Sequence, residues 1–161
     1  MTLYPILSAP IIIQLHVVGA ICAIVLGPMA LFRRSRDIWH RRLGYAWVMA
    51  MGFTAASSFW ISEAPVIGPF SPIHALSIFT IYGLWRGISA ARAGQIAAHR
   101  EQMQGLYFWA MGVAGVFTFL PGRRMNTVFF DMAPMAGFIA VSVVIGGVLV
   151  VFGMTQKHRT I

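Results

Sequence analysis

This 161-residue chain is predicted to be an all-α membrane protein with five transmembrane helices. Three observations predict it. Hydrophobic residues make up 58% of the chain and charged ones only 10%, against about 25% charged in a soluble domain. Apolar runs of near-spanning length alternate with short gaps that hold the charge. Twelve Lys and Arg face four acids, a net charge of +8, and the basic residues sort to one side of the runs, as in membrane proteins. A soluble globular enzyme, a disordered chain and a nucleic-acid binder are thereby excluded. The lone cysteine, Cys22, lies in an apolar run and can form neither an intramolecular disulfide nor a cysteine-based metal site.

The elements follow in order. A span needs about 20 apolar residues to cross about 30 Å of hydrocarbon. Residues 10–32 form the first, with Pro28 inside it predicting a kink. The N-terminal Met1-Thr2-Leu3-Tyr4-Pro5 has no basic segment, so this run reads as a span and not as a cleavable signal peptide. Residues 43–61 form the second span, ended by the Pro/Gly-rich stretch at 65–69. The third (72–87) and fourth (104–120) are short, and their helices are expected to extend into flanking polar residues; Pro121-Gly122 ends the fourth. Residues 134–154 form the fifth. Backbone in lipid must bond internally, so all five are helices. The chain reads as one transmembrane domain over 1–161, with almost no extramembrane mass.

Arg33, Arg34, Arg36, Arg41, Arg42, Arg86, Arg92, Arg100, Lys157 and Arg159 fall on one side, and only Arg123 and Arg124 on the other. The N-terminus is therefore expected outside and the C-terminus in the cytoplasm of a bacterial inner membrane.

Four of the five histidines repeat. His16 and His74 are 58 residues apart, and His40 and His99 are 59 apart. Each of the latter two precedes an arginine and then a Gly/Tyr/Trp cluster: Gly44, Tyr45, Trp47 and Gly105, Tyr107, Trp109. Residues 10–62 and 70–121 thus read as two copies of one helical hairpin, with 134–154 outside the repeat. His16 and His74 fall near the outer ends of their spans, His40 and His99 at the cytoplasmic ends. About 16 residues of helix, roughly 24 Å, separate the two levels. Facing neutral imidazoles in a four-helix bundle are what bis-histidine haem ligation requires. The expected site is therefore two haem b groups, one held by His16 and His74 and one by His40 and His99. Arg34, Arg41, Arg42 and Arg100 are candidate propionate partners at the inner site, Arg123 and Arg124 at the outer. Trp47, Phe79, Tyr82, Phe108 and Trp109 are candidates to pack the ring edges. His158, in the polar tail, is expected to add only charge.

The segments His16–Gly19, Leu26–Pro28, His40–Gly44, Ser71–His74 and His99–Met103 carry a resemblance to a family of bacterial predicted membrane proteins of unknown function. It covers most of residues 10–120. More distantly, the four-histidine layout is similar to the two-haem transmembrane cytochrome b and ferric-reductase superfamily. His40-Arg41-x-x-Gly44 looks like a ligand-bearing segment of the latter. That resemblance implies haem b with quinol, ascorbate or ferric-iron chemistry. Here, however, each of four helices supplies one histidine, whereas those domains often carry two on one helix.

No Gly-rich phosphate loop, Gly-x-Ser-x-Gly elbow, His-Glu-x-x-His or Cys-x-x-Cys is present. Electrons would thus come from a membrane quinone or a redox partner protein. Asp37, Glu63, Glu101 and Asp131 lie outside the span cores, which speaks against a proton-coupled transporter. The competing expectation is a cofactor-free accessory or assembly subunit of a larger membrane complex.

Overall fold

The computed structural model describes residues 3–61 and 71–157, with side chains through residue 155. Glu63, the stretch at 65–69, the Lys157 side chain, His158 and Arg159, all named above, lie outside the described residues. Regular structure among the described residues is helical: α1 (Tyr4–Leu7), α2 (Ile11–Leu31), α3 (Ile38–Ser57) with a 3₁₀ turn at Ser58–Trp60, and α4 (Pro72–Arg92). There follow α5 (Ile96–Gly105), a π-turn at Leu106–Ala110, α6 (Met111–Thr118), α7 (Arg124–Phe130) and α8 (Pro134–Lys157). The third and fourth apolar runs do extend into polar flanks, and α1 and α7 are helices that periodicity did not reveal.

Local chemistry sets the ends of these helices. Asp37 caps α3, its carboxylate accepting the His40 backbone N–H at 3.0 Å. Ser71 and His74 form a reciprocal capping box on α4, with Pro72 in the first turn. At the other end of α4, Gly94 adopts φ 72°. Its N–H reaches the Ala91 carbonyl, and the Gln95 N–H reaches Ala90, which is a Schellman stop.

The helices gather into two compact units: Pro10–Tyr107, and the residues up to Ala9 together with those from Phe108 onward. In the first, α2 packs on α3 and α5, while α4 also packs on α3 and α5. Four helices thus close a ring, with α2 opposite α4 and α3 opposite α5. Small residues allow it. Gly19, Ala23, Gly27 and Ala30 line the buried face of α2, and Ser77, Thr80, Gly83 and Gly87 that of α4. A Cβ at Gly19 would press on Phe53 and Thr54, at Gly83 on Gln102 and Leu106, and at Gly87 on Met103. Such close backbone approach is how helices associate in lipid.

In the second unit, Gly112 and Gly115 of α6 meet Ile145 and Leu149 of α8. Asn126, wholly buried, donates from Nδ2 to the Phe119 carbonyl at 2.8 Å and the Pro134 carbonyl at 2.9 Å. It thereby clips α7 between the chain leaving α6 and the start of α8. Arg124 donates to the Pro5 carbonyl at 3.0 Å, tying α1 to α7.

Burial is inverted relative to a water-soluble bundle. Ser57, Ser58, His74, Ser77 and Thr80 are buried, while Ile21, Val25 and Met29 of α2, Ile78 and Phe79 of α4, and Val143, Val144 and Val151 of α8 are exposed. Small and polar residues inside beside Trp47, Met51, Leu84 and Leu106, with many large apolar ones outside, suit a protein whose solvent is hydrocarbon. By length and composition, Ile11–Leu31 and Pro134–Thr155 are the two described helices able to cross a bilayer.

Candidate functional site

The four histidines occupy opposite corners of the α2–α5 ring. His16 on α2 stands across from His74 on α4, and His40 on α3 across from His99 on α5. The first pair converges on the turn that ends α3. The His16 Nδ1 lies 2.9 Å from the Ser57 hydroxyl, and the His74 ring stacks on Phe59 at 5.5 Å and 17°. In the same turn, the Ser58 hydroxyl meets that of Ser77 at 2.6 Å.

Hydrogen bonding decides which ring nitrogen of each histidine is available. The His40 Nδ1 faces the Ala30 carbonyl at 3.2 Å and the His99 Nδ1 faces the Gly87 carbonyl at 2.9 Å. A carbonyl only accepts, so both Nδ1 atoms carry the proton and both Nε2 atoms keep a lone pair. Each histidine near the start of one helix thus bonds the last turns of the helix before it, once per hairpin. The Ser57 hydroxyl gives its own proton to the Thr54 carbonyl at 3.1 Å, so it accepts from the His16 Nδ1–H. Three histidines therefore hold the tautomer and second-sphere partner typical of ligands through Nε2. His74 differs. Its Nδ1 accepts the Ser71 backbone N–H at 2.9 Å, which puts the proton of the neutral ring on Nε2.

At the His40 end, Arg36 is the arginine against the ring, its Nη1 3.5 Å from the His40 Nε2. His40 precedes the apolar part of α3. Burial above all, then Arg36 and His99, push its pKa down, so the neutral imidazole is favoured. Arg41 and Arg100 are exposed, and Arg42 lies 5.5 Å over the Trp39 ring, a cation–π contact. Arg36 was not among the propionate candidates; its position four residues before His40 was the available signal. Of the aromatic candidates, Trp47 alone is fully buried. Phe79, Tyr82 and Trp109 face outward, and Phe108 stacks on Phe152 at 4.1 Å.

The adjoining loop supplies a pH-dependent contact. Arg33 bonds the Asp37 carboxylate, at 2.9 Å through Nε, and holds it well below the usual carboxylate range, with help from the His40 N–H. A depressed folded pKa means that the stabilisation is complete above the unfolded value of about 3.9 and is lost as pH falls through and below it. Thermal melts of the micellar protein should therefore fall between neutral pH and pH 3. Asp37→Asn, which keeps the cap, should show a shallower fall; equal slopes would remove Asp37 from the account.

A second constellation went unread in the sequence. Pro28 has no N–H to give the Ile24 carbonyl, its partner four residues back. The Tyr107 hydroxyl donates to that carbonyl instead, at 3.2 Å. Gly27 makes room, since a Cβ there would overlap the Tyr107 ring and crowd the Trp47 Nε1. Trp47 completes the contact, its ring 6.5 Å from that of Tyr107. Gly-Pro on α2 is thus half of a joint whose other half sits in the π-turn after α5.

Among the described residues, no group of three or more His, Cys, Asp or Glu is placed to hold a metal ion. A haem iron, held by four porphyrin nitrogens, would need only two further imidazoles and not a group of three. The family model described as "Predicted membrane protein (DUF2306)" matches residues 13–155. No curated protein and no solved structure matches the chain.

Proposed function

We propose, from the premise that the chain belongs to the DUF2306 family of predicted membrane proteins, that it carries electrons across a bacterial inner membrane on two haem b groups. In this reading five spans cross the bilayer, with the N-terminus outside and the C-terminus in the cytoplasm. The observation that supports it is the pairing of histidines across both diagonals of one four-helix ring, at opposite ends. His16 and His74 would hold one group, His40 and His99 the other. Bound haem would supply reversible one-electron exchange. The chain's own part is orientation. Ser57 and the Ala30 and Gly87 carbonyls fix three rings with Nε2 as the donor atom. Burial, with Arg36, favours neutral His40, and Arg36 must move aside from Nε2 for a ligand to reach it. His74 must release the Ser71 N–H and pass its proton to Nδ1 before it can ligate through Nε2. A quinol or a redox protein is the expected electron partner.

A cofactor-free accessory subunit is the second reading. It is favoured by the side chains of Trp47, Leu106 and Tyr107, which fill the bundle against Gly27 and Gly83.

The visible spectrum of purified protein, expressed with ample haem supply, separates the two. A Soret band that shifts on dithionite reduction is expected, and a colourless, folded protein would end the electron-transfer reading. His16→Ala or His74→Ala should remove one haem, and His40→Ala or His99→Ala the other. The His16/His74 haem should be lost first on titration with denaturant, because its ligation gives up a helix-cap bond worth about 1 kcal/mol.

A further inference from the structure

We infer that the end of the α2–α5 ring bearing His40 and His99 binds the phosphate headgroup of an anionic phospholipid. Eight arginines belong to the segments at this end (Arg33, Arg34, Arg36, Arg41, Arg42, Arg86, Arg92 and Arg100), against the acids Asp37 and Glu101. Asp37 is already engaged, because Arg33 and the His40 backbone N–H both bond its carboxylate. That pair is the one salt bridge among the described residues. Arg36 is meanwhile held against the His40 ring. Arg41 and Arg100, both exposed, follow His40 and His99 directly in the chain. Like charges so crowded call for an anion, and a phosphate oxygen accepts from guanidinium N–H groups.

The surroundings fit a lipid better than a free ion. Met29 and Phe32 at the end of α2, and Ile38 and Trp39 at the start of α3, are exposed beside this basic end. They offer an apolar shelf for acyl chains directly under the headgroup. Basic recesses between membrane helices are known to take such headgroups. The inference is independent of haem, since it uses only the arrangement of α2–α5.

The full chain, delipidated in detergent and without added haem, is titrated with phosphatidylglycerol or phosphatidylcholine and read by native mass spectrometry. Phosphatidylglycerol should be retained in preference to phosphatidylcholine. Arg36→Gln and Arg41→Gln should each weaken it about fivefold, the value of one arginine near an anionic surface. Retention by the unsubstituted chain should also fall steeply as NaCl is raised, a readout that needs no variant. Equal retention of the two lipids, or undiminished binding by the Arg36 and Arg41 variants, overturns the inference. Displacement of the lipid by millimolar inorganic phosphate, whatever its acyl length, would assign the site to free phosphate and overturn it equally.

Discussion

Replacing Asn126 by leucine should cost about 2–3 kcal/mol in a reversible unfolding titration in micelles, and replacing it by aspartate should cost more. The side chain is wholly buried, and its Nδ2 supplies both hydrogens to the Phe119 and Pro134 carbonyls. Leucine fills the volume but leaves both carbonyls without their side-chain donor, in a place that water does not reach. Each such loss runs to about 1–3 kcal/mol, and membrane measurements favour the lower part of that range. Aspartate is nearly isosteric but would present an oxygen to two oxygens. Its charge must be neutralised by proton uptake, so its penalty should shrink as pH is lowered, while that of leucine should not. Equal stability of the three proteins would mean that α7 is held by the packing of Phe119, Phe129 and Phe130 alone.

Asn126 also illustrates what periodicity can and cannot convey. Apolar runs give the long helices because lipid imposes internal backbone bonding wherever a run is long enough. The residues at 121–133 hold two arginines, an asparagine and an aspartate, and read as a gap. That α7 is a helix depends on Asn126 bonding chain seven and eight residues away, which no short window detects. The histidines were legible for the opposite reason, since repetition at 58 and 59 residues survives without knowledge of any contact. Their chemistry was not legible. His74 looks equivalent to His16 in sequence, yet Ser71 at the helix start gives its ring a different proton position. The aromatic clusters mislead similarly. Trp47 faces inward in the first hairpin, while in the second Tyr107 does so and Trp109 turns out. The π-turn at Leu106–Ala110 adds a residue to the helical turn and shifts that register. Pro28 announced a kink, but the group that satisfies the freed carbonyl lies 83 residues away.

That distant partner makes the sharpest test of the bundle's construction. Tyr107→Phe keeps the ring over Gly27 and removes only the hydroxyl, leaving the Ile24 carbonyl without the donor that replaces the missing N–H of Pro28. A loss of about 1–2 kcal/mol is expected, because lipid offers the carbonyl no other donor, between the usual penalty for an unsatisfied group and the smaller averages found in membranes. In a Pro28→Ala background the restored N–H can serve Ile24 from within α2. The same Tyr107→Phe change should then cost only a few tenths of a kcal/mol, so the cycle should show coupling of about 1 kcal/mol. Equal cost in both backgrounds would mean that the hydroxyl matters for some reason other than Pro28. Gly27→Val tests the steric half of the joint. Its side chain would enter the space of the Tyr107 ring and crowd the Trp47 Nε1, and the Trp47 ring is fully buried. Overpacking of this kind costs about 1–3 kcal/mol, and it should abolish most of the Tyr107→Phe effect, because the hydroxyl would already have been pushed off Ile24. If Gly27→Val and Tyr107→Phe instead add without coupling, the ring and its hydroxyl act independently. The Gly-Pro step on α2 would then be a packing feature and a kink that merely coincide.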